Sequence, residues 1–190
     1  VASYNKPMII STGMCDLADI YEAIEVCKSL KNNDIVLLHT SSLYPTEPID
    51  VNLKTIKKLK KIFQIQVGFS DHSSSSTAAV MAVALGATVI EKHITLDKKM
   101  KGPDHFYASE PTEFMKYVSE IRTAEQIMGD DKIEIHSDVK KIARRKSIYT
   151  SCKINKGDII LKEMITVKRP GEGIRPRFLN AVVGARATKD

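Results

Sequence analysis

Two histidines stand 21 residues apart in matching settings. His72 closes the apolar run "IQVGFSDH" (65–72), and His93 lies in "ATVIEKHITL" (87–96). If both runs are strands, alternate side chains share a face. That puts Gly68, Ser70 and His72 together, and Val89, Glu91, His93 and Thr95 together. Adjacent strands lie about 4.8 Å apart, so the two imidazoles could bind one metal ion between them. Two nitrogen ligands with open positions leave room for water or substrate oxygens, which suits Lewis-acid chemistry at Mn, Fe or Zn. The alternative is that both are ordinary polar residues at strand ends.

Other residues surround this pair. Ser70 shares the His72 face. Serines 73–76 precede a helical pattern, where hydroxyls and free N–H groups hold an anion or simply cap the helix. Glu91 on the His93 face either hydrogen-bonds a sugar and tunes a metal site, or makes a structural ion pair. Asp104, in "KGPDHF", is explained equally by turn chemistry. Tyr44 in "SSLYP" reads as packing or ligand contact. His39, on a strand, reads as lumen filling outside the metal set. Lys168 and Arg169, before Pro170-Gly171, read on composition alone as a solvated pair.

The elements needed to position these residues are legible. Four apolar segments, 7–12, 34–42, 65–72 and 87–96, alternate with helical patterns. Residues 16–30 place Ile20, Ile24, Cys27 and Leu30 on one face behind Asp16 as N-cap. Residues 52–63 do the same with Leu53, Ile56, Leu59, Lys60 and Phe63. Residues 76–85 stop at Gly86, and 111–128 begin with Pro111 and Glu113 and end at Gly129. Such β-α alternation with buried strands gives an α/β fold with a parallel sheet. Four βα units make half of a (β/α)8 TIM barrel, whose active sites lie at the C-terminal strand ends. No GxGxxG or GxxxxGK[ST] loop is present, which argues against nucleotide folds. The expected division is a partial barrel over 1–129, a charged linker over 130–145, and a small β-rich module over 146–190. In that module "KSIYTS", "DIILK" and "ITVKRPGEGI" read as strands, with "NKG" and "RPGEG" as turns.

Composition narrows the function classes. No apolar run reaches the roughly 18–20 residues of a membrane span. Three scattered cysteines without a CxxC pair imply reduced thiols and a cytoplasmic protein. The net charge is +6, and 15 of the 29 Lys and Arg but 8 of the 23 Asp and Glu follow residue 129. A basic module could meet nucleic acid, an acidic partner or an anionic substrate. With 6% aromatic residues and no Trp, it lacks the stacking platforms of single-strand binders. The chain opens on Val1 and stops at "ARATKD", so it reads as a fragment.

Taken in order, "STGM" (11–14), "LLHTSSLYP" (37–45), "GFSDHS" (68–73), "GATVIEKHITLD" (86–97), "GPDH" (102–105) and "VKRPGEGI" (167–174) resemble the sialic acid synthase family. The resemblance implies the C-terminal half of the barrel followed by a truncated antifreeze-like (SAF) domain. It implies metal-dependent condensation of phosphoenolpyruvate with an N-acetylated aminosugar, N-acetylmannosamine or a 2,4-diacetamido relative, releasing phosphate. His72 and His93 fall on the family's metal ligands, with Mn(II) the expected cofactor. Ser70 and Ser42 fall on phosphoenolpyruvate contacts, and Thr40 stands where Cys is frequent. Tyr44, Glu91 and Asp104 fall on sugar contacts, with Glu91 also expected to orient water or a sugar hydroxyl. Arg169 falls on an SAF arginine that reaches the partner barrel in a domain-swapped homodimer. The family's first four strands have no counterpart, so the chain alone is expected to be inactive.

Two rival classes remain at this stage. One is a non-catalytic carbohydrate-binding or interaction module derived from this family. The other is a nucleic-acid binder driven by the basic tail. The synthase reading expects neither nucleic acid nor membrane among its partners.

Overall fold

The computed structural model describes residues 1–134, 145–171 and 173–190. The expected linker therefore lies mostly outside the described residues, as does Glu172 of the "RPGEG" turn. The chain divides into two compact units, Val1–Asp130 and Asp131–Asp190.

The first unit is built on four strands, β1 (Met8–Ser11), β2 (Ile35–Thr40), β3 (Gln66–Asp71) and β4 (Ile90–Lys92). They pair in sequence order, all parallel. Helices α1 (Leu17–Ser29), α2 (Lys54–Phe63) and α3 (Thr77–Ala84) make the crossovers, and α4 (Pro111–Met128) follows β4. This is the expected α/β arrangement of a parallel sheet with helical connections. β4 is shorter than its apolar run, so His93 sits just beyond its last paired residue.

Local chemistry sets the helix ends. Asp16 accepts from the backbone N–H groups of Ala18 and Asp19, and Asp19 returns a bond to the Asp16 N–H. That reciprocal box satisfies donors with no partner inside the helix. Pro111 opens α4, where Glu110 and Glu113 close a similar box. Ile20, Ile24 and Cys27 are buried on α1 as expected, whereas Leu30 is exposed because the helix has already ended. On α2 only Ile56 and Leu59 are buried. Lys60 reaches Gly86 O at 2.9 Å and ties α2 to the turn after α3.

The main core joins Ile35, Leu37, Val67 and Phe69 of the sheet to Ile20, Ile24, Ile56, Leu59 and Ala82 of the helices. A satellite of Ala79, Tyr117 and Ile121 packs α4 on α3 beside Ile90. These strand positions alternate with those of the histidine face. On that face Gly68 meets Leu38 and Val89 so closely that a Cβ would lie 2.4 Å from Val89 O and 2.6 Å from Leu38 Cδ2. A side chain at 68 would push the strands apart below the histidines.

His39 corrects one expectation. It does not fill the histidine face. Alternation sends it to the helix side, where Nε2 lies 2.7 Å from Val51 O and the ring stacks on Phe69 at 5.9 Å. Burial lowers its pKa, against the opposing effect of the Val51 bond. The unfolded chain, with a histidine pKa near 6.5, therefore binds a proton that the native ring refuses. Stability is thus present above about pH 6.5 and falls as pH drops toward the lowered native value. Urea unfolding at pH 7.5 and 5.5 is expected to show a smaller acid loss for His39→Gln than for the wild type. Equal losses would exclude this role.

The second unit pairs β5 (Ser147–Thr150) with β6 (Ile165–Lys168), antiparallel. A short helix, α5 (Leu179–Val182), follows a 3-10 turn at Pro176–Phe178. The expected strand "DIILK" does not form. It forms an isolated bridge between Ile159 and Arg186, flanked by backbone bonds from Ile160 N to Ala185 O and from Ala187 N to Asp158 O, before a 3-10 turn at Lys162–Met164. Lys168 lies over the Tyr149 ring at 5.3 Å, and the Tyr149 hydroxyl donates to Pro170 O. Gly171 passes so near Arg145 that a Cβ would sit 1.9 Å from its carbonyl oxygen. Only glycine allows that approach, which fixes the turn after Arg169.

Candidate active site

Strand alternation delivers the histidine pair to one place. The His72 and His93 rings lie 5.2 Å apart between centroids at 70°. His72 is buried and His93 partly so. Below them Ser70 Oγ donates to Glu91 Oε1 at 2.6 Å, across the paired register of β3 and β4. Ser70 Oγ also lies 3.4 Å from His72 Nε2.

The hydrogen bonds define how His72 is presented. Its Nδ1 lies 2.7 Å from Ser41 O, an acceptor, so Nδ1 carries the proton and Nε2 keeps the lone pair. Burial, assisted by nearby His93 and Lys92, outweighs the Ser41 bond and Asp71 and lowers the His72 pKa. The ring is therefore neutral at neutral pH, the form that can ligate a metal.

Tyr44 closes one side of the pair. Its ring lies 4.2 Å from His72 and 5.9 Å from His93. Tyr107, which sequence reasoning missed, closes the other at 5.0 Å from His93. Its hydroxyl donates to Asp104 Oδ1 at 2.7 Å and faces His93 Nδ1 at 3.4 Å. Burial first, then Asp104, holds the phenol well above its ordinary range, so it stays a donor. The signal that could have found Tyr107 is an aromatic three residues after Asp104 in the segment following the last strand.

The other expected residues fall as follows. Ser42 is exposed just after β2, two residues past Thr40 on the same alternation. Asp104 joins the cluster through Tyr107. Arg169 is exposed in the second unit. The serines make internal bonds. Ser73 donates to Asp71 and Ser75, and Ser76 donates to Glu120 and makes no side-chain cap on α3. Among the described residues no group of three or more His, Cys, Asp or Glu could hold a metal.

Behind the site is a second feature absent from the sequence reading. The middle residues of "SDH" and "EKH", Asp71 and Lys92, are register partners that face the helix layer. Their side chains are 0% and 6% exposed, with 3.5 Å between charged atoms. Asp71 also accepts from Ser73 N, Ser73 Oγ and Tyr117 OH. The Lys92 ammonium donates to Ser73 O and lies 5.4 Å from the Tyr117 ring centroid. Buried charges survive when paired and hydrogen-bonded.

A curled parallel sheet with two histidines at the ends of neighbouring strands defines an α/β protein with a candidate catalytic face. Residues 1–133 match the NeuB family and residues 145–190 match the SAF domain, so the chain belongs to the NeuB family. An N,N'-diacetyllegionaminic acid synthase of Campylobacter jejuni is 43% identical over all of this chain and 58% of its own length. A pseudaminic acid synthase of the same species is 40% identical over all of this chain and 56% of its own. The solved structure of an N-acetylneuraminic acid synthetase from Leptospira borgpetersenii superposes with a TM-score of 0.67 at 35% identity. That match covers 74% of this chain and 49% of that one. The chain therefore spans a little over half the length of these curated relatives. Among the described residues no helix is long and apolar enough to cross a membrane.

Proposed function

We propose that this chain supplies the C-terminal half of a (β/α)8 barrel and an SAF domain to a cytoplasmic nonulosonic acid synthase. The reaction is condensation of phosphoenolpyruvate with an N-acetylated aminosugar aldehyde, with release of phosphate. The observation that carries this reading is the His72–His93 pair over the Ser70–Glu91 bond, in a chain whose family relatives are synthases of this type.

The donor set fits a divalent cation, Mn(II) by preference. His72 offers Nε2 with Nδ1 committed to Ser41, and His93 stands beside it. Such an ion, when bound, supplies Lewis acidity toward the aldehyde oxygen. The chain's own residues do the rest. The π pair of phosphoenolpyruvate C3=C2 forms the new bond to the aldehyde carbon, whose oxygen takes up a proton. Water adds at C2 and loses a proton, and C–O cleavage then expels phosphate to leave the keto acid. Ser70 and Ser42 bind phosphoenolpyruvate, while Tyr44 and Asp104 hold the sugar in line for attack. Glu91, already accepting from Ser70, orients the attacking water or a sugar hydroxyl. Arg169 neutralises anionic substrate in the barrel of a partner subunit of a domain-swapped homodimer, which gives the basic C-terminal third its use.

The reading is tested by phosphate release from phosphoenolpyruvate with candidate aminosugars and Mn(II) in the complete barrel. No release with any sugar while Mn(II) is bound overturns it. Glu91→Gln is expected to lower turnover by about 10²-fold with the fold intact, since Glu91 is exposed. Unchanged turnover removes Glu91 from the chemistry.

A further inference from the structure

We propose that Tyr107 is a positioning residue that fixes the tautomer of His93, anchored in turn by Asp104. The inference rests on the proposed reading of His72 and His93 as metal ligands.

The two histidines are held by different devices. His72 donates from Nδ1 to a backbone carbonyl, Ser41 O, at 2.7 Å. Among the described residues His93 has no such carbonyl contact; its Nδ1 faces the Tyr107 hydroxyl at 3.4 Å. A hydroxyl is ambiguous, since it can donate or accept. Asp104 removes the ambiguity. The Tyr107 proton is committed to Asp104 Oδ1 at 2.7 Å, and an ionised carboxylate can only accept. The phenolic oxygen is left with its lone pairs toward His93, so Nδ1 carries the proton and Nε2 is the free donor atom. Both imidazoles are thereby set to the same tautomer. An outer hydrogen bond of this kind fixes the orientation of a ligating histidine and raises its basicity.

The contacts of the Tyr107 ring with Tyr44 at 5.3 Å and His93 at 5.0 Å pack the same cluster. Phenylalanine retains them and removes only the hydroxyl. The Asp104 side therefore supplies the complementary variant. In Asp104→Ala the Tyr107 proton is released and can turn toward His93 Nδ1, favouring the opposite tautomer with the proton on Nε2.

The test is long-range 15N–1H NMR of the metal-free full chain at about pH 8.5, above the ordinary histidine range. In the wild type His93 is expected as the Nδ1–H form. Tyr107→Phe is expected to give a mixture, and Asp104→Ala to shift toward Nε2–H. An unchanged His93 tautomer in both variants overturns the proposal. If one variant does not fold, the other decides alone. Mn(II) titration of the same samples is expected to show affinity about 10–100-fold weaker in Tyr107→Phe; unchanged affinity counts against the proposal. If the wild type itself binds no Mn(II), the metal reading fails, and the tautomer result still decides the role of Tyr107.

Discussion

Asp71→Ala is expected to destabilise the first unit by about 3–5 kcal/mol, the cost of breaking a buried ion pair from one side. For a unit of this size that lowers the melting temperature by roughly 10–20 °C. The carboxylate is fully buried and holds three hydrogen-bond donors besides the Lys92 ammonium at 3.5 Å. Its loss leaves Lys92 buried with Ser73 O and the Tyr117 ring as its remaining contacts. It also frees the Tyr117 phenol, whose pKa burial and Asp71 together raise far above its ordinary range. Asp71→Ala/Lys92→Leu is expected to be less damaged than Asp71→Ala alone, because no unpaired charge remains. Chemical denaturation of wild type, both single variants and the double variant closes the cycle. A single-variant loss below about 1 kcal/mol would show that the pair is not structural. The pair also shapes the site. Asp71 and Lys92 grip Ser73 from both sides, and the neighbouring His72 O accepts from Thr46 N at 2.9 Å. The turn that carries His72 is therefore fastened from behind the sheet.

This pair shows what a sequence yields and where it stops. A period of two placed Ser70, His72, Glu91 and His93 on one face, and the structure brings those four together. The same period sends Asp71 and Lys92 to the other face. Opposite charges at paired positions of adjacent strands were thus legible in principle. What hides them is that a helix-facing layer is expected to be apolar, and that the register between two strands is not encoded in either one. His39 shares a face with Leu37, which lies in the core, so the same period sends it to the helix side. "DIILK" failed differently. Its composition suits a strand, but strand propensity reports fit to a neighbouring surface, and the backbone bonds that Asp158 and Ile160 make to residues 184–187 amount to a single bridge at Ile159. Tyr107 escaped because its role depends on a loop returning to the strand ends, a geometry that no local period encodes.

His93→Ala is expected to lower kcat/KM by about 10³-fold or more, equivalent to about 4 kcal/mol of transition-state stabilisation. It is a cleaner probe than His72→Ala. His72 is buried and its side chain fastens Ser41, so its removal mixes chemistry with folding. His93 lies beyond the last paired residue of β4 and is only partly buried. Its backbone oxygen accepts from Ser109 N at 2.9 Å, a bond that alanine keeps. The side chain makes ring contacts with Tyr44, His72 and Tyr107, and one long polar contact to Tyr107. Stability is therefore expected to change by less than about 1 kcal/mol, and Mn(II) affinity to collapse in parallel with turnover. The comparison with Glu91→Gln then separates two roles on one strand. Both variants lose turnover, but only His93→Ala loses the ion. Near-wild-type turnover in His93→Ala would mean that the paired imidazoles serve the sheet and not the reaction. The catalytic face would then have to be sought in the Ser70–Glu91 layer beneath them.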